Sequence, residues 1–98
     1  MRPCKRIEII IESVLADRVI ECLHAENVSG YTLIHGVSGQ GGRGQRLDDD
    51  PAGTASNCLF VVACDSAAEA EAVVTAVRPL LTRSGGVCLV SDAAYVKH

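Results

Sequence analysis

Tryptophan is absent from this sequence, and aromatic residues make up only 3% of it, as Tyr31, Phe60 and Tyr95. A sheet that reads RNA needs stacking rings on adjacent strands, and three scattered rings provide few of them. Excess positive charge is lacking too, since the formal net charge is −3 and the sequence pI is about 5.5. Nucleic-acid binding usually draws on a basic face, so the composition argues against a nucleic-acid partner.

The cysteine pattern lacks pairs. The five cysteines are an odd number, and no two of them form a C-x-x-C motif. This pattern fits neither a disulfide framework nor a common zinc site, and we predict no metal ligands. We expect small buried side chains at most of these positions, with Cys4 as the exposed exception.

Long apolar runs are also missing, because no stretch approaches the length of a membrane span. The apolar residues 7–11 are interrupted by Glu8 and are too short for a signal peptide, so we expect a cytoplasmic protein. The chain has 98 residues, of which 48% are hydrophobic. That is enough for one domain over residues 1–98 and too little for two.

The first half of the chain has the pattern of a strand, a helix and a second strand. Residues 6–12 alternate, with Ile7, Ile9 and Ile11 on one face and Arg6, Glu8 and Ile10 on the other. Ser13 is a candidate N-cap for a helix. Its apolar residues recur at helical spacing, as Val14, Leu15, Val19, Ile20 and Leu23. Residues 27–30 should end this helix before a strand over residues 31–37.

The second half repeats this order. Residues 58–64 form a continuous apolar run, typical of a strand covered on both faces. Ser66 and Glu69 have the spacing of a capping box, and Pro79 should end or kink the helix that comes next. A last strand is predicted over residues 87–91. The two halves predict an α+β, ferredoxin-like βαβ–βαβ fold with a four-stranded antiparallel sheet and both helices on one face.

The strands of this predicted sheet are apolar on both faces, notably at residues 9–11 and 59–63. Two helices cover only one face, so something else must bury the other. The simplest partner is another copy of the chain, and we therefore expect a homo-oligomer.

Residues 38–57 form a long functional loop between the halves, with neither helical nor strand periodicity. Residues 39–44 match G-x-G-x-x-G, but the motif does not open a helix, so a Rossmann site is excluded. Glycine backbone amides can still converge on an anion, and Arg43 and Arg46 can add charge-assisted hydrogen bonds. A solvated flexible loop is the alternative. The aspartates at 48–50 have the pattern of a solvated charge run rather than of a cation site.

Two further features could contact an anion. Residues 84–86 form either a phosphate-contacting turn or a simple helix C-cap. Lys97 and His98 form a basic tip that either reaches an anion or frays. His24 is expected on a helix surface, and nothing near His35 in the sequence makes it catalytic.

Together these residues resemble a known family. Gly30-Tyr31-Thr32 before the second strand, the glycine-rich loop after it and Gly85-Gly86 before the last strand are similar to the PII signal-transduction proteins. The loop and the ending over residues 91–98 are most similar to the PII-like proteins associated with carboxysomes and bicarbonate. That resemblance implies a homotrimer that binds adenine nucleotides in clefts between subunits.

The resemblance also implies site residues. The nucleotide-binding residues it implies are Ile10, Thr32, Ser38, Gly39, Gln40, Gly41, Val62, Gly85, Gly86, Val87, Lys97 and His98. Within this set Thr32 lies by the adenine, Ile10 and Val62 form an apolar wall, and Lys97 and His98 face phosphate. The implied anion or bicarbonate residues are Gly39, Gln40, Gly41, Gly42, Arg43 and Arg46.

Some residues depart from the family pattern. Val87 stands where the family usually has a lysine after the glycine turn, so Arg43 or Arg46 would have to neutralise phosphate. The loop has no tyrosine, which excludes the tyrosine uridylylation of some relatives. It is also shorter than in those relatives, which puts their 2-oxoglutarate response and their partners in doubt.

The sequence therefore predicts a non-enzymatic allosteric sensor of ADP or AMP, coupled to bicarbonate, that regulates a transporter or a carboxysome-related protein and needs no cofactor. The alternative is a structural or metal-responsive homo-oligomer of the same fold that binds no nucleotide. An acylphosphatase-like enzyme is disfavoured, because Glu12 would repel phosphate at the first strand-to-helix junction, and no nucleophile–base pair is visible.

Overall fold

A computed structural model describes residues 1–41, 44–46 and 56–98, and for residues 40, 41 and 44–46 it describes the backbone alone. The described elements, in chain order, are β1 (Arg2–Glu12), a 3₁₀ turn (Ser13–Leu15), α1 (Ala16–Ala25), β2 (Tyr31–Val37), β3 (Gly39–Gly41), β4 (Gly44–Arg46), β5 (Asn57–Cys64), α2 (Ala67–Ser84) and β6 (Val87–Tyr95).

The main sheet has four antiparallel strands in the order β2-β5-β1-β6. This arrangement confirms the predicted α+β, ferredoxin-like fold. Strands β1 and β6 are longer than predicted, because the pairing continues to Arg2 opposite Tyr95. No local pattern indicated this extension, since residues 92–94 are Asp-Ala-Ala and have low intrinsic strand preference.

Both helices lie on the same face of the sheet, and the core lies between them. The alternating residues Ile7, Ile9 and Ile11 of β1 are at most 1% exposed, as is Phe60 of β5. Val19 and Leu23 of α1 and Val73 and Val77 of α2 are fully buried in the same cluster. The period-two pattern of β1 and the helical pattern of α1 therefore separated the core-facing residues from the others.

The two strand-to-helix junctions differ, although the sequence makes them look alike. At the second junction Ser66 is the N-cap as predicted, because its hydroxyl accepts from the Glu69 amide at 3.1 Å. The Glu69 carboxylate accepts from the amide of Asp65, the residue before the N-cap, at 3.3 Å. At the first junction the Ser13 prediction was wrong, since α1 begins at Ala16 with no side-chain cap. Ser13 is instead bonded to Ser56, and a 3₁₀ turn leaves Val14 exposed.

Helix α1 ends where predicted, in a turn that uses asparagine rather than glycine. Asn27 has a φ of 57°. The Val28 amide donates to the Leu23 carbonyl at 3.3 Å, and the Asn27 amide donates to the His24 carbonyl at 3.1 Å. These two bonds are those of a Schellman motif, in which the left-handed residue stops the helix.

Pro79 was predicted to end or kink helix α2, and it does not end it. The helix runs from Ala67 to Ser84 with Pro79 inside it. The turn after the proline buries Leu80 and packs Leu81 against the core. Apolar burial of this kind offsets the lost backbone hydrogen bond, which costs about 3 kcal/mol in an isolated helix.

The segment after β2 contains strand structure that its sequence did not indicate. Gly39–Gly41 pairs with Gly44–Arg46 in a two-stranded antiparallel hairpin, with Gly39 opposite Arg46. Before it, Gly36 has a φ of 73° at a bulge in β2. The Asp48–Asp50 run lies outside the described residues.

The cysteines are free thiols, and most are buried as expected. Cys4 was predicted to be exposed and is buried, because the longer β1–β6 ladder covers it. In the part of the chain that the structure describes, no helix combines the length and apolar character needed to cross a bilayer.

Candidate functional site

The sheet has two ends and one open face, and these three places contain the candidate residues. The loop end is the end of the sheet at which β1 and β2 finish and β5 and β6 begin. The tail end is the opposite end of the sheet, where Arg2 pairs with Tyr95. The open face is the one that neither helix covers.

At the loop end the structure brings together several predicted residues. Ile10 is the cross-strand partner of Val87 on one side and of Leu59 on the other. Ser38 and Gly39 come directly after Val37, which pairs with Asn57. Asn57 also pairs with the last residue of β1, close to where Ile10 pairs with Val87. The base of the loop and the start of β6 therefore lie at the same end of the sheet.

The Gly85-Gly86 turn is built for close approach of backbones. Gly85 has a φ of 76° and its amide donates to the Leu81 carbonyl at 2.8 Å, so it is the C-cap of α2. A Cβ on Gly86 would lie 2.6 Å from the Ile10 carbonyl oxygen. The Ser84 hydroxyl accepts from the Gly86 amide at 3.2 Å and closes the turn. The turn thus presents its backbone at the loop end beside Ile10 and Val87.

The far side of the loop base is tied to the β1–α1 turn. The Ser13 amide donates to the Ser56 carbonyl at 2.9 Å, and the Ser56 hydroxyl donates to the Ser13 hydroxyl at 3.2 Å. These bonds hold the residue before β5, and so fix where the long loop rejoins the sheet. Sequence reasoning assigned Ser13 to capping and missed this role.

The predicted apolar wall of Ile10 and Val62 does not exist within the chain. Val62 is fully buried on the helix side, where it is the partner of Ile7. Ile10 lies on the open face. Thr32 does lie on the open face, and its cross-strand partner there is Val61. Val61 and Val62 are consecutive in β5, so their side chains lie on opposite faces of the sheet.

The open face is apolar, as the sequence predicted. Its larger apolar side chains lie in two adjacent cross-strand rows and are Ile10, Ile34, Leu59, Val61, Val87 and Leu89. Leu89 is 54% exposed, and Ile34 and Val87 are also exposed. A contiguous apolar face of this kind indicates an interaction surface.

Charged residues that sequence reasoning did not assign also lie on the open face. The Arg6 guanidinium lies 3.1 Å from the Glu8 carboxylate. Arg6 also lines a hollow of about 380 Å³. Its lining includes Cys4, Arg6, Ala63, Ala93, Tyr95 and Val96. The alternation of β1 had already put Arg6 and Glu8 on this face with Ile10, so the signal was present in the sequence.

Lys97 and His98 lie at the tail end, away from the glycine turn. Both are exposed and come after β6, whose first residue is Val87 and whose last is Tyr95. Eight residue steps of an extended strand span about 26 Å. The predicted nucleotide residues thus fall into separate groups: the loop-end group, Thr32 on the open face, and the tail.

The remaining predicted residues belong to the hairpin. Gln40, Gly41 and Arg46 are described by backbone alone, as paired residues of β3 and β4. Gly42 and Arg43 lie outside the described residues. The predicted anion contacts of these residues therefore stay predictions.

The Cys58 and Cys64 thiols are not activated nucleophiles. Burial raises the pKa of the Cys64 thiol to about 11, and nearby Glu69 and Asp65 add to the rise. Burial also raises the pKa of Cys58, an effect that a hydrogen bond with Ser13 partly offsets. Thiols with raised pKa values stay protonated near neutral pH. Among the residues that the structure describes, no group of three or more His, Cys, Asp or Glu side chains could hold a metal ion.

Comparison with known proteins identifies relatives of this architecture. The family model "Nitrogen regulatory protein P-II" matches residues 4–98. The structure of CPII, a nitrogen regulatory PII-like protein from Thiomonas intermedia K12 bound to ADP, AMP and bicarbonate, has a TM-score of 0.84 and 22% identity. That match covers 97% of this chain and 90% of CPII. No curated protein matches the sequence significantly.

Two further structures have the same fold. CPII bound to ADP and bicarbonate has a TM-score of 0.83 and 22% identity, covering 97% of this chain and 90% of that one. A DUF3240 family protein from Shewanella baltica OS155 has a TM-score of 0.68 and 19% identity. That match covers 100% of this chain and 96% of the Shewanella protein.

Proposed function

Because the chain belongs to the P-II family of nitrogen regulatory proteins, we propose that it is a non-enzymatic sensor that binds ADP or AMP and couples this binding to bicarbonate. The observation that carries the proposal is the loop end. Here two glycine-rich features lie at the same end of the sheet. One is the Gly85-Gly86 turn, which packs against Ile10, and the other is the hairpin of β3 and β4. Backbone amides of this kind can approach phosphate without obstruction by side chains.

The ligand site is formed between copies of the chain, in a homotrimer. Two observations support this. The open face carries exposed apolar side chains that a second copy can bury. The glycine turn and the basic tail lie at opposite ends of β6, about 26 Å apart, so one small ligand reaches both only if they come from different copies. Thr32 then faces the base with its neighbour Val61, which replaces Val62 in the proposed wall.

The anion subsite is formed by the loop. We assign it to the amides of Gly39, Gln40, Gly41 and Gly42 and to the side chains of Arg43 and Arg46. CPII, whose fold this chain shares, was solved with bicarbonate together with ADP. A small oxyanion suits a row of glycine amides and guanidinium groups, because both donate hydrogen bonds and neither accepts them.

The output of the sensor is a change in the loop over residues 38–57. Nucleotide and bicarbonate contact the loop from its base, and the conformation that they favour is read by a partner protein in the cytoplasm. The partner is a transporter or a carboxysome-related protein concerned with inorganic carbon. No cofactor takes part.

Isothermal titration calorimetry with AMP, ADP and ATP tests the binding claim. We expect ADP or AMP to bind with an affinity on the order of micromolar, and Thr32→Val to weaken binding while leaving the strand intact, since valine keeps the β-branched shape. GDP is the control for recognition of the base. If none of the adenine nucleotides binds, the chain is not a nucleotide sensor.

A further inference from the structure

The tail end contains a contact between three elements that the proposed function does not use. Arg2 begins β1, and its guanidinium lies 3.2 Å from the Asp65 carboxylate at the β5–α2 junction. The same guanidinium lies over the ring of Tyr95, 5.3 Å from its centroid. Tyr95 is the last residue of β6 and the cross-strand partner of Arg2. We call Arg2, Asp65 and Tyr95 the Arg2 clamp.

The position of the clamp matters more than its strength. Arg2 and Asp65 have half-exposed side chains, and an ion pair of this kind adds little to stability. Arg2, however, contacts the end of β6 in two ways. Its backbone pairs with Tyr95 in the β1–β6 ladder, and its guanidinium stacks on the Tyr95 ring. The ion pair with Asp65 holds the guanidinium in that position. Cation–π contact and ion pair together orient a ring that would otherwise be free to move at the end of an edge strand.

The orientation of Tyr95 affects the residues beyond it in the chain. Tyr95 and Val96 line the hollow on the open face beside Arg6. Lys97 comes two residues after Tyr95, and His98 is next. The direction of the Tyr95 backbone therefore sets where the two basic side chains leave the sheet.

We propose that Arg2 is a positioning residue that directs Lys97 and His98 toward the phosphate of a nucleotide held by a neighbouring copy. The inference rests on the proposed function, in which the tail contacts phosphate. Arg2 does not touch the ligand. It acts by restricting the tail before the ligand arrives, so less conformational entropy is lost on binding.

A matched control is present in the same two strands. Lys5 of β1 forms an ion pair with Asp92 of β6, nearer the middle of the ladder. Lys5→Ala thus removes a β1–β6 ion pair without loosening the end of the strand. Tyr95→Phe keeps the ring under the guanidinium, whereas Tyr95→Ala removes it.

The experiment compares ADP with adenosine, which lacks phosphate, for each variant. We expect Arg2→Ala and Tyr95→Ala to weaken ADP binding about tenfold, because the unrestrained side chains of the tail must then be ordered on binding. Adenosine binding should not change. Lys5→Ala and Tyr95→Phe should stay within about twofold of the unmodified protein. Backbone ¹⁵N relaxation of the ligand-free variants should show increased motion at Lys97 and His98 for Arg2→Ala and not for Lys5→Ala.

A double-mutant cycle decides whether Arg2 acts through the tail. In a Lys97→Ala/His98→Ala background, Arg2→Ala should have no further effect on ADP affinity. The inference is overturned if Arg2→Ala leaves ADP affinity unchanged, weakens adenosine equally, or keeps its full effect in that background. If the unmodified protein binds no adenine nucleotide, the proposed function fails instead. The relaxation data then decide alone whether Arg2 holds the tail.

Discussion

Gly86→Ala should lower the free energy of unfolding by about 1–3 kcal/mol, as overpacking does in a close contact. The new Cβ would lie 2.6 Å from the backbone oxygen of Ile10 and 3.1 Å from Leu81 Cδ2. Backbone cannot give way as a flexible side chain can, so the start of β6 must move away from β1. Urea denaturation measures the loss of stability.

The same substitution should weaken nucleotide binding about tenfold, if the turn contacts phosphate. Moving the start of β6 shifts the Gly85-Gly86 backbone and Val87 with it. Titration of ADP in conditions where the variant is fully folded separates this effect from instability. An unchanged ADP affinity in a destabilised Gly86→Ala protein would remove the turn from the site.

Two other glycines provide controls. Gly30 has no described atom within 4 Å of the Cβ position, so Gly30→Ala should change stability by less than about 0.5 kcal/mol. Gly39 also has no described atom that close. Gly39→Ala should therefore fold normally, and a loss of ADP affinity in this variant would report an approach of the ligand to the loop base. Equal stability losses for Gly86→Ala and Gly30→Ala would contradict the packing argument.

Leu89→Asp should separate the proposed homotrimer into single chains. Leu89 lies on the open face and is 54% exposed in one chain, so an aspartate there stays in contact with water when the chain is alone. In the assembly, the same position would bury an unpaired carboxylate opposite Glu8, its cross-strand partner. The substitution also removes the leucine burial gained on assembly, worth about 1 kcal/mol per copy because half of the side chain is already buried in one chain.

Size-exclusion chromatography with light scattering measures the effect. The unmodified protein should have the mass of three chains and Leu89→Asp the mass of one. Val14 offers the matched control, because it is a similarly exposed apolar residue, at 63%, in the turn between β1 and α1 rather than on the sheet. Val14→Asp should stay trimeric. An unmodified protein that runs as a single chain would contradict the assembly claim outright.

The fold was predictable because its signals are periodic. Ile7, Ile9 and Ile11 alternate in β1, and the N-cap at Ser66 marks the start of α2, so element order and core faces followed from the sequence. Local preferences predicted Ser13 as an N-cap and Pro79 as a helix end or kink, and tertiary contacts override the cap and the end. Burial of Leu80 carries the helix past the proline, and Ser56 takes the hydroxyl that would have capped α1.

The site was less predictable, because it depends on which strand ends lie together. The pairings of Ile10 with Val87 and of Asn57 with Val37 bring the glycine turn and the loop base to the same end of the sheet. No local pattern shows that Arg2 meets Asp65, since 63 positions separate them in the sequence. The predicted wall combined Val62 with Ile10, although the two side chains lie on opposite faces of the sheet. In a strand that is apolar throughout, alternation gives no sign of which face is open.

The coupling of nucleotide to bicarbonate is the central claim, and calorimetry of ADP binding with and without bicarbonate tests it most directly. The control titration contains chloride at equal pH and ionic strength. We expect saturating bicarbonate to tighten ADP binding by about fivefold or more, and ADP to tighten bicarbonate by the same factor, because linkage is reciprocal. An ADP affinity that is identical in bicarbonate and in chloride would contradict the account and leave a nucleotide-binding protein without the second input.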